Sequence, residues 1–337
     1  MKQFNYSKIE FENVQCLFCK EKTKMEFLFE VPDRINNLPG MFSLVGCRKC
    51  GLVFQSPRPK EEYIKYYYPD NVNYFKPSKL KQSNFGMKIE RKILSNFYNY
   101  ENLGSSNFFS KILYFLLYFY FYRYRSIPKY TPNGKLLEIG CSNGEKLERF
   151  KKWGWNVMGI ELNRNAAIFG IKKRKLNIKI GSIFNYEFPS GSFDVIIMDM
   201  VLEHLYYPGK VISKITKWLK PGGQLIFSIP YFEGIEFKLF NKYAYGIQLP
   251  CHIYFFNKKH IKRLLDNNYQ NIKIIFLHFD RDIVASCYYK HQSTGKYFFK
   301  FVAYNKIIRY LLIKPLVFLL SLFKRTSRIT VYAQKNN

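Results

Sequence analysis

A glycine turn between an apolar segment and a helical segment is the part of the sequence best suited to binding a nucleotide-like cofactor. Gly140 and Gly144 bound the turn, Glu138 lies just before it, and Glu161 ends the next apolar segment. A dinucleotide fingerprint needs the spacing G-x-G-x-x-G, because its middle glycine lets the backbone approach a pyrophosphate. Ser142 stands at the middle position here. The turn therefore predicts a cofactor without a pyrophosphate.

The two carboxylates beside the turn favour a cofactor with a cationic group and a ribose. No Gly-Lys-Ser/Thr sequence follows Gly144, so a Walker A phosphate loop is absent from this turn. S-adenosylmethionine carries no phosphate, its ammonium group needs an acceptor, and its ribose hydroxyls need an acid at the end of the second strand. Glu138 and Glu161 occupy suitable positions. We expect S-adenosylmethionine.

Two Cys-x-x-Cys pairs near the N-terminus predict a zinc site formed by Cys16, Cys19, Cys47 and Cys50. Four thiolates suit tetrahedral Zn²⁺, and a site with four protein ligands has no open position for chemistry. Residues 26–44 are expected to form a hairpin between the pairs. The alternative is four free thiols. The pattern thus indicates a structural zinc ion.

Two histidines are candidates for the base that accepts a proton during methyl transfer. His204 follows the fourth predicted strand, at the edge of the sheet where ligands of open α/β folds bind. His252 lies in a loop after the fifth strand and could cover the same site. Packing or capping roles remain the alternatives for both residues. A further alternative is a divalent ion held by Asp199, Glu203 and His204.

From residue 134 onward, alternating apolar strands and helices predict an α/β fold that carries these residues. The predicted strands are Lys135–Ile139, Asn156–Glu161, Asn177–Ile180, Phe193–Met198, Gly223–Ile229, Ile272–His278 and Arg328–Ala333. The predicted helices between them are Gly144–Trp153, Asn165–Lys173, Pro208–Leu219 and Lys258–Asn267, with a turn at Lys220–Gly223. We expect a Rossmann-like, doubly wound sheet of seven strands with the last strand antiparallel.

The remaining segments divide the chain into further units. We expect a zinc-ribbon-like unit at 1–60, a helical connector or lid at 61–130, the main domain at 131–282 and 328–337, and a basic apolar helical insertion at 283–327. Within the connector, helical spacing covers Glu61–Tyr68, ended by Pro69–Asn71, and Met87–Tyr100. Lys111–Arg125 is apolar nearly all round, with basic ends that include Arg123. Such a helix is either buried or lies at a membrane interface.

The charge of the chain is strongly and unevenly basic. Lysine and arginine number 54 against 24 acidic residues, a net charge of +30. No acidic residue occurs from 102 to 137 or after Asp282, and both stretches are rich in apolar side chains. Basic and apolar residues together suit anionic lipid or a phosphate-bearing substrate. Nucleic acid is a weaker alternative, because the basic residues alternate with aliphatic ones.

The start of the chain and its cysteines suggest a cytoplasmic protein. Met1–Glu12 is polar, which predicts no signal peptide. Seven cysteines without a secretion signal are expected to be reduced. The longest apolar runs, Ile112–Tyr122 and Pro315–Phe323, are too short to span a bilayer. Peripheral contact with the inner face of the membrane stays open.

The sequence resembles the class I S-adenosylmethionine-dependent methyltransferases. The matching motifs, in order, are Leu136–Gly144, Gly159–Glu161, Ser192–Ile196, Val201–Leu205 and Leu219–Gly223. The resemblance implies that the glycine turn lines the methionine part of the cofactor and that Glu161 binds the ribose. The adenine position, often an Asp, is Ser182 here. The implied cofactor-binding residues are Glu138, Gly140, Cys141, Ser142, Gly144, Glu161, Leu162, Ser182, Ile183 and Asp199.

A narrower resemblance concerns bacterial methyltransferases linked to sugars and cell-surface polysaccharides. Its motifs are Cys47–Pro59 and Gln248–Phe256, in which Cys251 stands where an arginine is usual. The resemblance implies methyl transfer to a sugar on a nucleotide- or lipid-linked glycan precursor. A lipid or a quinone-like ring at the membrane face is the alternative acceptor. The high charge and the zinc unit keep a nucleic-acid-binding protein as a third hypothesis.

Overall fold

A seven-stranded sheet forms the centre of the protein in a computed structural model that describes residues 5–68, 84–122 and 126–337. Its strand order is β12-β13-β10-β9-β6-β7-β8. β13 runs antiparallel to both of its neighbours, while the pairs among β10, β9, β6, β7 and β8 are parallel. The strands are β6 Lys135–Ile139, β7 Asn156–Glu161, β8 Ile178–Ile180, β9 Phe193–Asp199, β10 Leu219–Pro230, β12 Tyr269–Phe276 and β13 Arg328–Lys335. The predicted α/β, Rossmann-like, seven-stranded fold is confirmed.

Helices cover both faces of this sheet because successive strand residues point to opposite sides. Leu136 and its neighbours in β7 and β9 pack with Leu147 and Ala167 on one face. Leu137 and Ile196 pack with Val211 and with buried residues of α8 on the other. The helices that connect the sheet strands are α4 Glu145–Lys152, α5 Arg164–Arg174, α6 Pro208–Trp218, α7 Ile235–Phe240 and α8 Lys258–Leu265. The sheet is therefore doubly wound.

A smaller sheet built mainly from the first 60 residues packs against the main domain. Its strand order is β11-β4-β3-β2, and β1 pairs separately with β5. The strands are β1 Phe11–Glu12, β2 Met25–Pro32, β3 Met41–Cys47, β4 Val53–Gln55, β5 Arg58–Pro59 and β11 Tyr254–Phe255. The antiparallel β2–β3 pair is the hairpin expected between the two cysteine pairs. β11 lies just before α8 in the main domain, so the main domain contributes a strand to the small sheet.

The other helices occupy the connector and the segment before the last strand. They are α1 Glu61–Ile64, α2 Asn84–Phe97, α3 Phe108–Leu117, α9 Asp280–Thr294, α10 Tyr297–Tyr304, α11 Lys306–Ile308 and α12 Lys314–Leu322. α3 continues into a wider helical turn at Tyr118–Tyr122. No residue of α3 is fully buried: Tyr114 and Leu117 pack against the core, and most of its other apolar side chains are exposed. None of the described helices is both long and apolar enough to cross a membrane.

Several predicted boundaries differ from the structure. The predicted turn Lys220–Gly223 lies inside β10 as an irregularity of its pairing with β9, because Gly222 adopts a left-handed conformation within a continuous strand. The helical segment predicted from 283 begins at Asp280, since Phe279 is the extended residue that precedes the helix. The predicted helix end at Pro69–Asn71 and the basic residues Arg123 and Arg125 lie outside the described residues.

Candidate active site

The glycine turn joins β6 to α4 through three residues with left-handed backbone conformations. The φ angles are +72° at Gly140, +50° at Ser142 and +74° at Gly144. The Gly140 amide donates a hydrogen bond of 2.8 Å to the Ile160 carbonyl, which holds the turn against the end of β7. A Cβ atom on Gly140 would lie 2.5 Å from Cγ2 of Val201, so a side chain here would collide with the segment after β9.

Glu161 links the glycine turn to the next loop through its two carboxylate oxygens. Oε2 accepts a hydrogen bond of 2.7 Å from the Ser142 amide, and Oε1 accepts one of 2.7 Å from the Asn163 amide. The side chain is buried, and burial raises the pKa of Glu161 although the backbone donors oppose that effect. The predicted acid therefore lies beside the turn, as the sequence implied.

Glu138 and Asp199 form an acidic centre at the carboxyl ends of β6 and β9, with Lys146 between them. Lys146 forms an ion pair with Asp199 and lies 3.8 Å from Oε1 of Glu138. Asp199 also accepts hydrogen bonds from the hydroxyls of Ser126 and Ser228, at 2.6 and 2.9 Å. Oε2 of Glu138 is buried and has no hydrogen-bond partner among the described residues. This orphaned acceptor suits a cationic ligand.

The pKa values of the two acids in this centre are shifted in opposite directions. Burial raises the pKa of Glu138 to about 7, partly opposed by the charge of Lys146. Burial also acts to raise the pKa of Asp199, but Lys146 and the hydrogen bonds to Asp199 outweigh it, so that pKa is lowered. Asp199 is therefore the ionised partner of Lys146, and Glu138 retains acceptor capacity for a ligand.

A cavity of about 490 Å³ opens beside this acidic centre. The acidic centre contributes Asp199, Lys146 and Ser228 to its wall. Apart from Ser126 and Asp280, the rest of the wall is aromatic, aliphatic or basic: Tyr120, Phe121, Ile127, Arg149, Phe150, Trp153, Met200, Leu277, His278, Phe279, Lys314 and Arg328. Polar groups on the sheet side and aromatic rings on the helix side suit a small polar ligand that has a flat or ring-shaped face.

The cations of the cavity differ in how they are paired. Arg149 forms an ion pair with Glu90, and Arg328 forms one with Asp282. Lys314 contacts rings instead: its ammonium lies 5.0 Å from the centroid of Tyr120 and 5.6 Å from that of Phe121. No ion pair to Lys314 occurs in the part of the chain that the structure describes. It is therefore the lining cation with the most capacity to bind an anion.

The two candidate bases, His204 and His252, lie together at one side of Glu203. The two imidazole ring centroids are 4.6 Å apart, and Nε2 of His252 is 3.9 Å from Oε1 of Glu203. Nδ1 of His204 lies 2.9 Å from the Cys251 carbonyl and 2.8 Å from the Tyr68 hydroxyl. Neither histidine lines the cavity. His204 is three residues after Val201, which contacts the glycine turn.

Burial sets the charge of this histidine–glutamate cluster. It lowers the pKa of His204 to about 4 and that of His252 well below its usual range. It raises the pKa of Glu203 to about 8, and both oxygens of that carboxyl group lack hydrogen-bond partners among the described residues. The imidazoles are thus neutral near pH 7, and their lowered pKa values make them weak bases.

The structure gives a different set of possible ligands for a divalent ion than the sequence suggested. Asp199 is held by Lys146 and two serines, whereas Glu203 and His204 gather with His252. Ligand atoms of these last three residues lie within 4.8 Å of one another. Asp199 therefore does not belong to that set, because its carboxylate faces the lysine.

The remaining predicted cofactor residues are placed around the turn and the loop after β8. Cys141 and Ile183 are buried, and Leu162 is exposed. The Ser182 hydroxyl accepts a hydrogen bond of 3.3 Å from the Phe184 amide, which caps the short helical turn Ile183–Asn185. These assignments stay predictions.

Sequence reasoning missed the residues that surround the acidic centre. Lys146 lies two residues after Gly144, on the first turn of α4, a position from which its side chain can reach back over the glycine turn. The position of Lys146 two residues after Gly144 could therefore have predicted its place beside the acids. Ser126 and Arg328 lie in distant segments of the sequence, and no local pattern places them beside Asp199. Only the packing of those segments on the sheet does so.

The four predicted zinc ligands converge at the edge of the small sheet. Sγ of Cys16 is 3.4 Å from Sγ of Cys50, and Sγ of Cys19 is 3.4 Å from Sγ of Cys47. All four sulfurs lie within 4.8 Å of one another. Gly51 has a φ of +75°, and its amide donates to the Cys47 carbonyl at 2.7 Å. A tetrahedral set of thiolates fits these distances.

Helix α8 of the main domain supports the cysteine cluster from outside. Nε2 of His260 donates a hydrogen bond of 3.1 Å to the Cys50 carbonyl, and its ring stacks on Phe18 with centroids 5.0 Å apart. Arg263 donates to the Phe18 carbonyl at 3.0 Å. The loops that carry the cysteines are therefore fixed to α8.

The sheet order, the glycine turn and the acid that ends β7 together form a Rossmann-like fold of the methyltransferase type. Residues 107–273 match the family model described as a methyltransferase domain. The orphaned oxygen of Glu138 fits a cationic ligand such as S-adenosylmethionine.

Known proteins resemble this chain over its central part. A ubiquinone biosynthesis O-methyltransferase from Nitrosococcus oceani is 32% identical over 102 residues, which cover 28% of this chain and 42% of that protein. Phosphoethanolamine N-methyltransferase 1 from Zea mays is 28% identical over 103 residues, 29% of this chain and 21% of that protein. This chain thus matches less than half the length of these relatives. Phosphoethanolamine N-methyltransferase 2 from Haemonchus contortus, solved with S-adenosyl-L-methionine, has a TM-score of 0.45 at 15% identity, covering 93% of this chain and 69% of that one.

Proposed function

We propose that the protein transfers a methyl group from S-adenosylmethionine to a hydroxyl of a sugar carried on a phosphate-bearing nucleotide or lipid. The observation that carries this proposal is the cavity beside the acidic centre. Tyr120 and the half-exposed Phe121 offer aromatic rings against which a sugar ring can pack, and Lys314 offers a cation for phosphate. Asp199 and Ser228 join this cavity to the carboxyl ends of the central strands.

The residues around the turn would bind and orient the cofactor. When bound, S-adenosylmethionine supplies an electrophilic methyl group on a sulfonium. Glu138 would accept hydrogen bonds from the cationic part, since its Oε2 has no partner among the described residues. Glu161 would accept them from the ribose hydroxyls. Such fixed acceptors orient the donor and so reduce the entropy cost of reaching the reactive geometry.

We propose that His204 is the base for the acceptor hydroxyl, which would have to extend from the cavity past Met200, because His204 itself does not line the cavity. Its pKa, lowered by burial to about 4, leaves the imidazole neutral at pH 7 and makes it a weak base. The Cys251 carbonyl and the Tyr68 hydroxyl hold Nδ1, which fixes the orientation of the ring. Met200, four residues earlier, lines the cavity, so the segment that bears His204 borders the acceptor site. His252 would position His204 from behind.

A calorimetric titration tests the cofactor assignment. The wild-type chain should bind S-adenosylmethionine, and Glu161→Ala should weaken binding about tenfold to hundredfold, because charge-assisted hydrogen bonds are lost. Glu101→Ala, at an exposed glutamate in the connector, is the matched control and should bind like the wild type. Failure of the wild type to bind either S-adenosylmethionine or S-adenosylhomocysteine would overturn the proposal.

A lipid or quinone-like ring is the second candidate acceptor, favoured by the apolar part of the cavity wall. Ile127, Leu277 and Phe279 line it together with Tyr120 and Phe121. Lys314→Gln separates the candidates: it should raise KM about tenfold for a phosphate-bearing sugar and leave KM for an uncharged aromatic acceptor unchanged. Assays of the two acceptor classes with this variant decide between them.

We also propose that the four cysteines hold a structural zinc ion. The support is their mutual distance and the supply of four sulfur ligands, which leaves no position for a substrate. Zinc here would fix the cysteine loops of the small sheet against α8.

A further inference from the structure

Two helical segments expose an unusual amount of apolar surface. In α3, Phe108, Phe109, Leu113 and Leu116 are each more than 70% exposed. The segment from α10 to α12 adds exposed large side chains: Tyr297, Phe298, Phe301, Tyr304, Ile307, Tyr310, Leu311, Leu312, Leu316, Leu319 and Phe323. Apolar side chains so concentrated on a folded chain indicate an interaction surface.

The two segments form one continuous surface. The ring of Phe318 in α12 lies 5.8 Å from that of Phe119 and 5.2 Å from that of Tyr120, centroid to centroid. Lys314 lies over the ring of Tyr120 at 5.0 Å. We call this combined face of α3, its continuation and α10–α12 the helical platform.

The charge of the helical platform has a single sign. No acidic residue occurs in the stretch 102–137 or after Asp282. Its exposed charged residues are lysines and arginines: Lys111, Lys296, Lys300, Lys306, Lys324 and Arg325. Apolar side chains interleaved with cations and without acids match an anionic lipid surface, where the rings and aliphatic chains enter the interface and the cations meet headgroups.

The cavity of the candidate site lies at the junction of the two segments. Tyr120 and Phe121 come from the continuation of α3, Lys314 begins α12, and all three line the cavity. A ligand that is anchored in a bilayer could therefore enter the cavity from the helical platform without leaving the lipid interface.

We propose that the helical platform docks this protein on the surface of an anionic bilayer. The described helices do not cross a membrane, so the contact is interfacial. A second copy of the chain fits this surface less well, because a symmetric contact would place the same lysines against one another. The docking does not depend on methyl transfer.

Flotation of the full-length protein with vesicles tests the proposal. It should float with phosphatidylglycerol-containing vesicles, float weakly with phosphatidylcholine alone, and be released by high salt. The double variant Leu116→Glu/Leu312→Glu has one change in each segment. It should reduce binding at least about tenfold, because two leucine side chains no longer insert into the apolar part of the membrane interface. Both residues are exposed, so folding is retained and is checked by the melting temperature.

A matched control is the double variant Phe27→Glu/Leu239→Glu, whose residues are exposed to a similar degree away from the helical platform. It should float like the wild type. The proposal is overturned if the wild type stays with the unbound protein on anionic vesicles, or if the platform variant floats unchanged. It is also overturned if the wild type is a dimer in solution that the platform variant converts to a monomer. Cofactor titration on the same samples tests the methyltransferase proposal separately.

Discussion

Glu203 is a buried carboxyl group without hydrogen-bond partners among the described residues, and its pKa is raised by burial to about 8. A group with a raised pKa stabilises the folded state fully below its unfolded pKa, and that contribution is lost as the pH rises through the folded pKa. Glu203 therefore favours the fold at low pH and opposes it above pH 8, where an ion would be buried next to His252.

Glu203→Gln should make stability less dependent on pH. The amide does not ionise, so the variant should gain melting temperature relative to the wild type as the pH rises from 5 to about 9. Thermal melts across this range measure the difference. Glu187→Gln, at an exposed acid paired with Lys214, is the control and should show no such trend. A difference that stays constant with pH would show that Glu203 is ionised throughout.

His204→Ala should reduce kcat by about a hundredfold or more, because general base catalysis contributes rate factors of that order. Binding of S-adenosylmethionine should change less than about twofold, since His204 makes no contact with the glycine turn in the structure. Because its pKa is about 4, the wild-type rate should not fall with protonation of this group until the pH approaches 4. His291→Ala, at the end of α9, is the control; equal losses in both variants would exclude the role of His204.

At the scale of elements, α8 contacts the loops that carry the four cysteines of the small sheet. β11 pairs with β4, and His260 of α8 donates to the Cys50 carbonyl. A change at the cysteine cluster should therefore destabilise residues 254–265, about two hundred positions away in sequence.

Cys47→Ser should remove bound zinc and loosen both the hairpin and the α8 region. We expect about one zinc per wild-type chain by elemental analysis, and faster amide exchange at 254–265 in the variant. Cys287→Ser changes a buried cysteine outside the cluster and should keep the metal. If purified wild-type protein holds no metal and a chelator leaves its exchange pattern unchanged, the zinc proposal is wrong.

For the whole molecule, the small sheet and the main domain share one apolar core. Cys16, Leu52 and Phe54 belong to the same buried cluster as Ile196 and Met198 of the central sheet. The expected unit of 1–60 is thus a distinct region of sequence that packs as part of the larger domain.

Thermal unfolding should accordingly show a single cooperative transition that includes the first 60 residues. A chelator should lower the temperature of that transition without splitting it, because the two regions bury the same core. Differential scanning calorimetry with and without chelator measures this. A separate low-temperature transition for the N-terminal region would show that it folds independently.

Local sequence patterns predicted the central sheet and the glycine turn. Apolar periodicity, which depends on residues near one another in sequence, located the strands of the central domain. β6 and β7 agree with the prediction residue for residue, whereas β10 extends beyond its predicted bounds at both ends. The positions of Glu138, Gly140 and Glu161 follow from the same strands, because parallel strands end at a common edge. The convergence of the four cysteines was predictable from their paired spacing.

Contacts between residues that are distant in sequence could be known only from the tertiary structure. Arg328 lines the cavity beside Lys146, and β11 completes the small sheet, because the chain returns to these places after long intervals. The structure also shows that most of the apolar side chains of α3 are exposed to solvent. An all-round apolar helix gives the same sequence pattern whether it is buried or exposed, and only packing against the rest of the chain distinguishes the two.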